Sequence, residues 1–126
     1  EDEPEAEYFE LLEQAFSALD DASIGPELIR VWFLARMLTL AGHRPNLSTD
    51  TAGNALDATK RYNFSFEDVS FAQHPQGRFD SNRIKLLRLL FSPNVPKSLQ
   101  NIEGISSIVK DCAPLVNTMA QTYIRL

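Results

Sequence analysis

One segment of the sequence, PELIRVWFLARMLTLAG from Pro26 to Gly42, constrains the fold more than any other. Pro26 favours a helix start, because the first turn of a helix does not need the missing N–H, and Gly42 favours a helix stop. Apolar side chains fall on nearly every side of this helix, so one covered face would not bury them. The segment therefore predicts a central helix that other elements surround.

The segments on either side predict amphipathic elements that can cover this helix. A 3.6-residue spacing of apolar side chains predicts one helix from Tyr8 to Leu19. Asp80 or Ser81 caps another helix, which runs to about Phe91. Alternating aromatic residues around an acidic turn predict a short β-hairpin over residues 62–71. Because an isolated hairpin is marginally stable, its aromatic face should pack on the helices.

The rest of the chain adds shorter helical segments. A helical turn is predicted from Ala52 to Lys60, and another follows a Pro-rich connection after the helix that ends near Phe91. The last element, from about Gly104 to Leu126, contains Pro114, and an interior proline breaks or kinks a helix. We therefore expect two helical pieces there, divided near Cys112. The predicted fold is mainly α, a compact helical bundle around the central apolar helix with one short β-hairpin, in a single domain over residues 1–126.

Composition argues against several classes of function. No apolar run approaches the roughly 20 residues that span a bilayer, so no membrane partner is expected. The single cysteine, Cys112, cannot form an internal disulfide or a cysteine zinc site. His43 and His74 lie in predicted loops without a nucleophile motif, and no Gly-rich phosphate loop is present. The sequence therefore predicts no catalytic residues, no metal and no cofactor.

Charge is distributed unevenly along a chain whose net charge is −5. Residues 1–27 contain ten acids and no base, whereas residues 72–102 contain five bases and one acid, Asp80. A region with this balance can present a positive face, although the whole chain is not a typical nucleic-acid binder. The five bases, which are the predicted binding residues, are Arg78, Arg83, Lys85, Arg88 and Lys97.

Individual cations differ in their predicted roles. On the helix DSNRIKLLRLLF, Lys85 and Arg88 lie about 60° apart, opposite the apolar face. Arg83 projects on the apolar side in the first turn, where it could hold a carboxylate or simply extend to solvent. Arg30 and Arg36, within the central helix, should reach the surface or pair with carboxylates of the first helix. A ligand-anchoring role is the alternative for that pair.

In the order of these motifs the sequence resembles a known family, the C-terminal helical domains of the bacterial recombination mediator RecO. The matching segments are RVWFLARMLTLAGHRPNL (Arg30–Leu47), the hairpin Tyr62–Phe71 and the basic helix Ile84–Leu90, and the resemblance covers about Tyr8 to Leu126. It implies a cytoplasmic, nucleoid-associated protein of DNA repair and recombination that is not an enzyme. The family's N-terminal oligonucleotide-binding barrel is absent from this chain, which implies a fragment or a member whose other half was removed.

The resemblance also gives a meaning to the loop after the central helix. In that family the loop often carries Cys-x-x-Cys after a Pro-x-Leu, and a second such pair after the hairpin completes a zinc site. Here Pro45 and Leu47 are followed by Asp50 and Gly53 at the cysteine spacing. The loop therefore looks like the relic of a zinc knuckle, and the hairpin's aromatic residues, Tyr62, Phe64, Phe66 and Phe71, are expected to replace the metal.

The partners that the resemblance implies are single- and double-stranded DNA, bound with the missing barrel, the mediator RecR and the single-strand-binding protein SSB. In some members the helical domain docks the acidic C-terminal tail of SSB, which ends in a Phe carboxylate. Such a dock needs an apolar pocket and cations, which we expect near Ile84 and Leu87 and on the five bases. Two alternatives remain: a helical protein-interaction adaptor without a nucleic-acid role, and a small enzyme domain whose site needs the missing half.

Overall fold

The secondary-structure elements were assigned from a computed structural model, which describes residues 4–124. The acidic residues Glu1, Asp2 and Glu3 and the last two residues of the predicted C-terminal element lie outside the described part. The elements are α1 (Pro4–Leu19), α2 (Pro26–Leu40), β1 (Tyr62–Ser65), β2 (Ser70–Gln73), α3 (Ser81–Leu90), α4 (Pro96–Gln100) and α5 (Ile105–Tyr123). The mainly helical class with one antiparallel hairpin is thereby confirmed.

Helix α2 lies at the centre of the bundle, as its sequence predicted. It packs against α5 and α1 and also contacts α3 and α4. Trp32 and Leu38 are completely buried. The indole Nε1 of Trp32 donates a hydrogen bond of 2.7 Å to the Asn94 carbonyl, which joins α2 to the connection between α3 and α4. The helix ends at Leu40, and Gly42 follows with a φ of 84° that favours glycine.

Helix α5 is continuous, so the predicted division near Cys112 is wrong. Pro114 lies inside the helix and removes the N–H that would bond to the Lys110 carbonyl. Both residues lie on the exposed side of α5, so water can bond to that carbonyl. On the opposite side Cys112 is buried, and this burial raises the pKa of its thiol to about 12.

The hairpin packs on the bundle through its aromatic side chains. Tyr62 and Phe71 are almost completely buried. The ring of Phe71 meets the rings of Phe64 and Phe79 edge to face, with centroids 5.0 and 5.4 Å away. Phe66 differs from the expectation, because it is exposed and contacts the hairpin through Phe64. Three of the four predicted aromatic residues therefore hold the hairpin, with Phe79 as a further member.

The loop after α2 is organised by the buried carboxylate of Asp50. Its Oδ1 accepts hydrogen bonds of 2.9 Å from the backbone N–H groups of Ala52 and Asn54. Gly53 completes the turn with a φ of 85°. The N–H of Thr51 donates to the Phe71 carbonyl on β2 at 2.8 Å. A hydrogen-bonded turn thus occupies the place that the resemblance assigns to metal-binding cysteines.

The helical turn predicted from Ala52 to Lys60 is wrong. This segment consists of non-helical turns, because short polar side chains supply alternative acceptors for the backbone. The carboxylate of Asp57 accepts bonds from the N–H and the hydroxyl of Thr59, at 2.8 and 2.7 Å.

The central position of α2 predicts where truncation is most damaging. We expect Leu38→Ala to lower the free energy of unfolding by about 2–5 kcal/mol, because it leaves a cavity in a fully packed site. Phe33→Ala is the control on the same helix, and it should cost less because Phe33 is partly exposed. Urea denaturation measures both, and an equal or larger cost at Phe33 would contradict the central packing.

From the hydrogen bonds of Asp50 we predict that the loop after α2 keeps its conformation without a bound metal ion. We expect Asp50→Ala to cost about 1–3 kcal/mol, because two partly buried N–H groups lose their acceptor. Asp57→Ala, in the exposed neighbouring turn, is the control and should cost less. Protein purified without a His-tag should contain far less than one equivalent of zinc, and EDTA should leave its unfolding temperature unchanged. Stoichiometric zinc, or a chelator-induced drop in that temperature, would refute this.

Candidate functional site

The structure brings three of the five predicted bases to one groove. Arg83, Lys85 and Arg88 line it from α3, and its opposite wall is formed by the residues after α4 and the first turn of α5. The groove has a volume of about 890 Å³. Arg78 and Lys97 line two other hollows of the surface.

The floor of the groove is apolar, but its residues differ from the expected ones. Ile84 and Leu87 were expected at an apolar pocket, yet they are buried in the core and do not line the groove. They face inward because they belong to the side of α3 that packs against α5 and α2. The apolar lining consists of Leu86, Leu89, Ile102 and Ile108.

Two cations at the rim of the groove, Lys85 and Arg88, are not paired with a carboxylate of the described residues. Lys85 is exposed, and no carboxylate of residues 4–124 lies within ion-pair distance of its ammonium group. The Nε of Arg88 donates a 3.0 Å hydrogen bond to the Leu47 carbonyl. This bond fixes the guanidinium against the loop that Asp50 organises, while its two Nη groups have no hydrogen-bond acceptor in the described part of the chain. Lys85 and Arg88 are therefore the candidate ligand-binding cations.

Arg83 already binds two carboxylates of its own chain. Its Nη1 lies 3.1 Å from Asp80 Oδ2, and its Nη2 lies 2.8 Å from Asp111 Oδ2. The hydrogen bond to Asp111 is the main reason why the pKa of Arg83 is raised above its ordinary value. The sequence suggested that Arg83 could hold a carboxylate, and the ones it holds come from the start of α3 and from α5. Arg83 therefore orients the groove wall, with its charge largely neutralised.

The start of α5 closes one end of the groove. Gly104, with a φ of 73°, and Ser107 both line it. The N–H groups of Ser106 and Ser107 have no acceptor within residues 4–124, as is usual in a first helical turn. The positive end of the helix dipole favours an anion there, while the carboxylate of Glu103, also in the lining, disfavours one. The groove therefore suits a ligand with one apolar group and a localised anionic group.

The two remaining predicted bases have different surroundings. The ammonium group of Lys97 lies 3.1 Å from Asp21 Oδ2. The pKa of Asp21 falls to about 2, chiefly through hydrogen bonds from the Ser23 hydroxyl and N–H and then through Lys97. Arg78 lies in a hollow beside the hairpin that Asp111 also lines. Neither base extends the charge of the groove.

Arg30 and Arg36 of α2 were expected to reach the surface or to pair with carboxylates of α1, and the structure agrees in part. Arg30 reaches the surface, where it pairs with Glu27 at 2.7 Å, a residue of its own helix. Arg36 lines a hollow of about 210 Å³ together with Glu7 and Glu10 of α1, but it makes no ion pair within the described residues. The Nη1 of Arg36 is buried without a hydrogen-bond partner in the described residues. Burial, and to a smaller extent the positive charge of Arg44, lowers the pKa of the Arg36 guanidinium.

Sequence reasoning missed the half of the groove that α3 does not supply. Ile102, Glu103 and Ser107 come from a different segment, and no local pattern pairs that segment with α3. Gly104, between them, was recognised as the start of a helix. Within residues 4–124 no three His, Cys, Asp or Glu side chains cluster as metal ligands. No described helix is long and apolar enough to cross a bilayer.

Comparison with known proteins agrees with the motif order. The family model described as "Recombination protein O C terminal" matches residues 1–126, which is the whole chain. No curated protein and no solved structure matches the chain. The matching family is one of recombination mediators and is not a known class of enzyme.

The Asp80–Arg83 contact predicts a pH dependence of stability. Burial raises the pKa of Asp80, but the N–H and the charge of Arg83 together outweigh burial, so the folded pKa lies below its ordinary value. The carboxylate therefore stabilises the fold fully above its unfolded pKa, about 4, and this contribution is lost as the pH falls through the folded pKa. We expect Asp80→Asn, which keeps the helix cap, to be about 1 kcal/mol less stable than the parent at pH 7.

Urea denaturation at pH 7 and pH 3 measures this gap, which should shrink at the lower pH. Asp68→Asn, in the exposed hairpin turn, is the control for a change of charge alone. A gap at Asp80 that stays constant with pH would show that the ion pair contributes nothing.

Proposed function

The chain belongs to the family of recombination protein O C-terminal domains, and we propose that its groove docks the acidic C-terminal tail of the single-strand-binding protein. The family makes it a RecO-type domain of DNA repair and recombination. The observation that carries the proposal is the pair of cations, Lys85 and Arg88, above an apolar floor. The domain then acts by binding and carries out no reaction of its own.

The chemistry of the groove fits a peptide that ends in Phe. An aromatic ring can be covered by the apolar floor, where Leu89 and Ile102 are partly exposed. Lys85, Arg88 and the start of α5 can share the terminal carboxylate and the acidic side chains before it. The groove volume of about 890 Å³ falls in the range of small-ligand pockets, which suits a few residues of peptide.

DNA phosphate is the second candidate ligand. It is supported by the same two cations, since phosphate contacts also use exposed Lys and Arg side chains. A net charge of −5 weighs against strong DNA binding by this chain alone. Arg83 is neutralised by its own carboxylates, and Arg78 and Lys97 lie in other hollows. We therefore expect the binding of DNA and RecR to need the oligonucleotide-binding barrel that the family resemblance implies.

Fluorescence anisotropy with a labelled acidic peptide ending in Phe tests the proposal. We expect Lys85→Glu to weaken binding by about tenfold, and Lys85→Glu with Arg88→Glu to weaken it further, because attraction becomes repulsion. Lys110→Glu, an identical charge change on the exposed side of α5 outside the groove, should have little effect. Arg83 is left intact, since reversing its charge would break its ion pairs with Asp80 and Asp111.

Two further ligands separate the candidates. A peptide whose terminal Phe is replaced by Ala should bind weakly if the apolar floor takes the ring. Labelled single-stranded DNA should show a steep loss of affinity with salt if phosphates are bound. If the folded double variant binds the Phe-ending peptide as well as the parent does, the groove is only a solvated surface. If the double variant loses binding to DNA but keeps binding to the peptide, DNA phosphate is the favoured ligand of the groove.

A further inference from the structure

Helix α1 presents a row of large apolar side chains to solvent. Its opposite side, around Leu11 and Ala15, is buried against α2, so the exposed row is a second apolar face. We call it the α1 stripe. Its members are Phe9 (65% exposed), Leu12 (44%), Phe16 (64%) and Leu19 (61%).

The spacing of the α1 stripe is that of a helix-pairing seam. Successive members are separated by three, four and three residues, as at the a and d positions of a heptad. At 100° per residue they fall within about 80° of the helix circumference. Single exposed apolar residues are ordinary, but this row exposes on the order of 400 Å², similar to the largest patch of a typical monomer. The stripe is therefore large enough to bind another helix.

The charge around the stripe selects the partner. No basic residue occurs in residues 1–27, and α1 carries acidic side chains along its exposed side. Glu13 follows one edge of the stripe on the helical wheel, and Asp20 comes directly after the last residue of α1. A helix that docks here gains electrostatic attraction if its flanking residues are Lys or Arg.

A second copy of this chain fits the stripe poorly. Two such stripes would bring acidic flanks together, which is destabilising at a helix pair. The exposed apolar area is also about half of the roughly 800 Å² that each partner buries in a stable complex of standard size. A single helix needs less area than a globular partner, and it can add ion pairs along its flanks.

From these observations we propose that the α1 stripe docks a basic amphipathic helix of a partner protein. The apolar side chains of that helix pack at heptad spacing on Phe9, Leu12, Phe16 and Leu19, and its Lys or Arg residues face Glu13 and Asp20. The surface lies on α1, whereas the groove lies between α3 and α5. The two binding activities are therefore separable by mutation.

The probe for this proposal is a synthetic helix of about three heptads, with Leu at the a and d positions and Lys at e and g. A scrambled peptide of the same composition, whose Leu residues no longer share one face, is the peptide control. Binding is measured by anisotropy, and the contact surface is mapped by amide chemical shifts of the isotope-labelled chain. We expect the heptad peptide to bind at least about tenfold more tightly than the scrambled one and to shift amides of α1.

Two variants of the chain locate the binding surface. Phe9→Ser with Phe16→Ser should weaken binding by at least about tenfold, since both side chains are exposed in the free domain. Phe66→Ser is the matched control, because Phe66 is an exposed aromatic residue on the hairpin. Glu13→Lys with Asp20→Lys keeps the apolar row intact but turns attraction into repulsion, so it should also weaken binding. This second variant carries the test if the serine variant fails to fold.

Several outcomes would overturn the proposal. Equal binding of the scrambled peptide, or unchanged binding by either double variant, would show that the stripe does not select a basic helix. If sedimentation shows that the chain is a dimer and that the serine variant is a monomer, the α1 stripe binds a second copy of the chain instead. Failure of a longer protein that includes the barrel to bind the peptide would make the preceding segment the occupant.

Discussion

Helix α2 can exist in water only when other helices surround it, because its apolar side chains point in nearly every direction. Helices α1 and α5 cover most of it, and α3 and α4 contribute the rest. The hydrogen bond from Trp32 to the Asn94 carbonyl satisfies the polar atom of its largest buried side chain and fixes the connection after α3. Helix α5 must also pack on α3, and the groove lies where its first turn meets that helix.

The domain combines two surfaces of opposite charge, the groove and the α1 stripe. The groove offers cations over an apolar floor, whereas the α1 stripe offers apolar side chains beside acids. This arrangement follows from the uneven distribution of charge along the chain, since nine of its 17 acids precede α2 and the two cations of the groove, Lys85 and Arg88, come after the hairpin. The net charge of −5 does not indicate either surface, so the charge of each segment is more informative than the net charge of the whole chain.

Local patterns allowed most of the elements to be predicted from the sequence. The apolar periodicity of α2, the Asp80 cap of α3 and the aromatic alternation of the hairpin each lie within one segment. Pro114 was misjudged because the cost of a proline depends on which side of the helix it occupies, and here that side faces water. The groove was predicted only in its α3 half, because its other wall is a tertiary neighbour. Arg83 was expected either to hold a carboxylate or to extend to solvent, and its pairing with Asp111 was not foreseen because that residue lies 28 positions away in the sequence.

The turn around Asp50 makes the geometry of the groove independent of thiol chemistry. Arg88 is held by the Leu47 carbonyl, and the loop that carries this carbonyl is shaped by hydrogen bonds to a carboxylate. Metal-binding thiolates are oxidised by peroxides, and a loop that depends on them collapses when zinc is scarce. A carboxylate has neither weakness, and the sole thiol, Cys112, is buried in its protonated form. The loop that holds Arg88 therefore keeps its shape whatever the redox state of its surroundings, because no thiolate contributes to it.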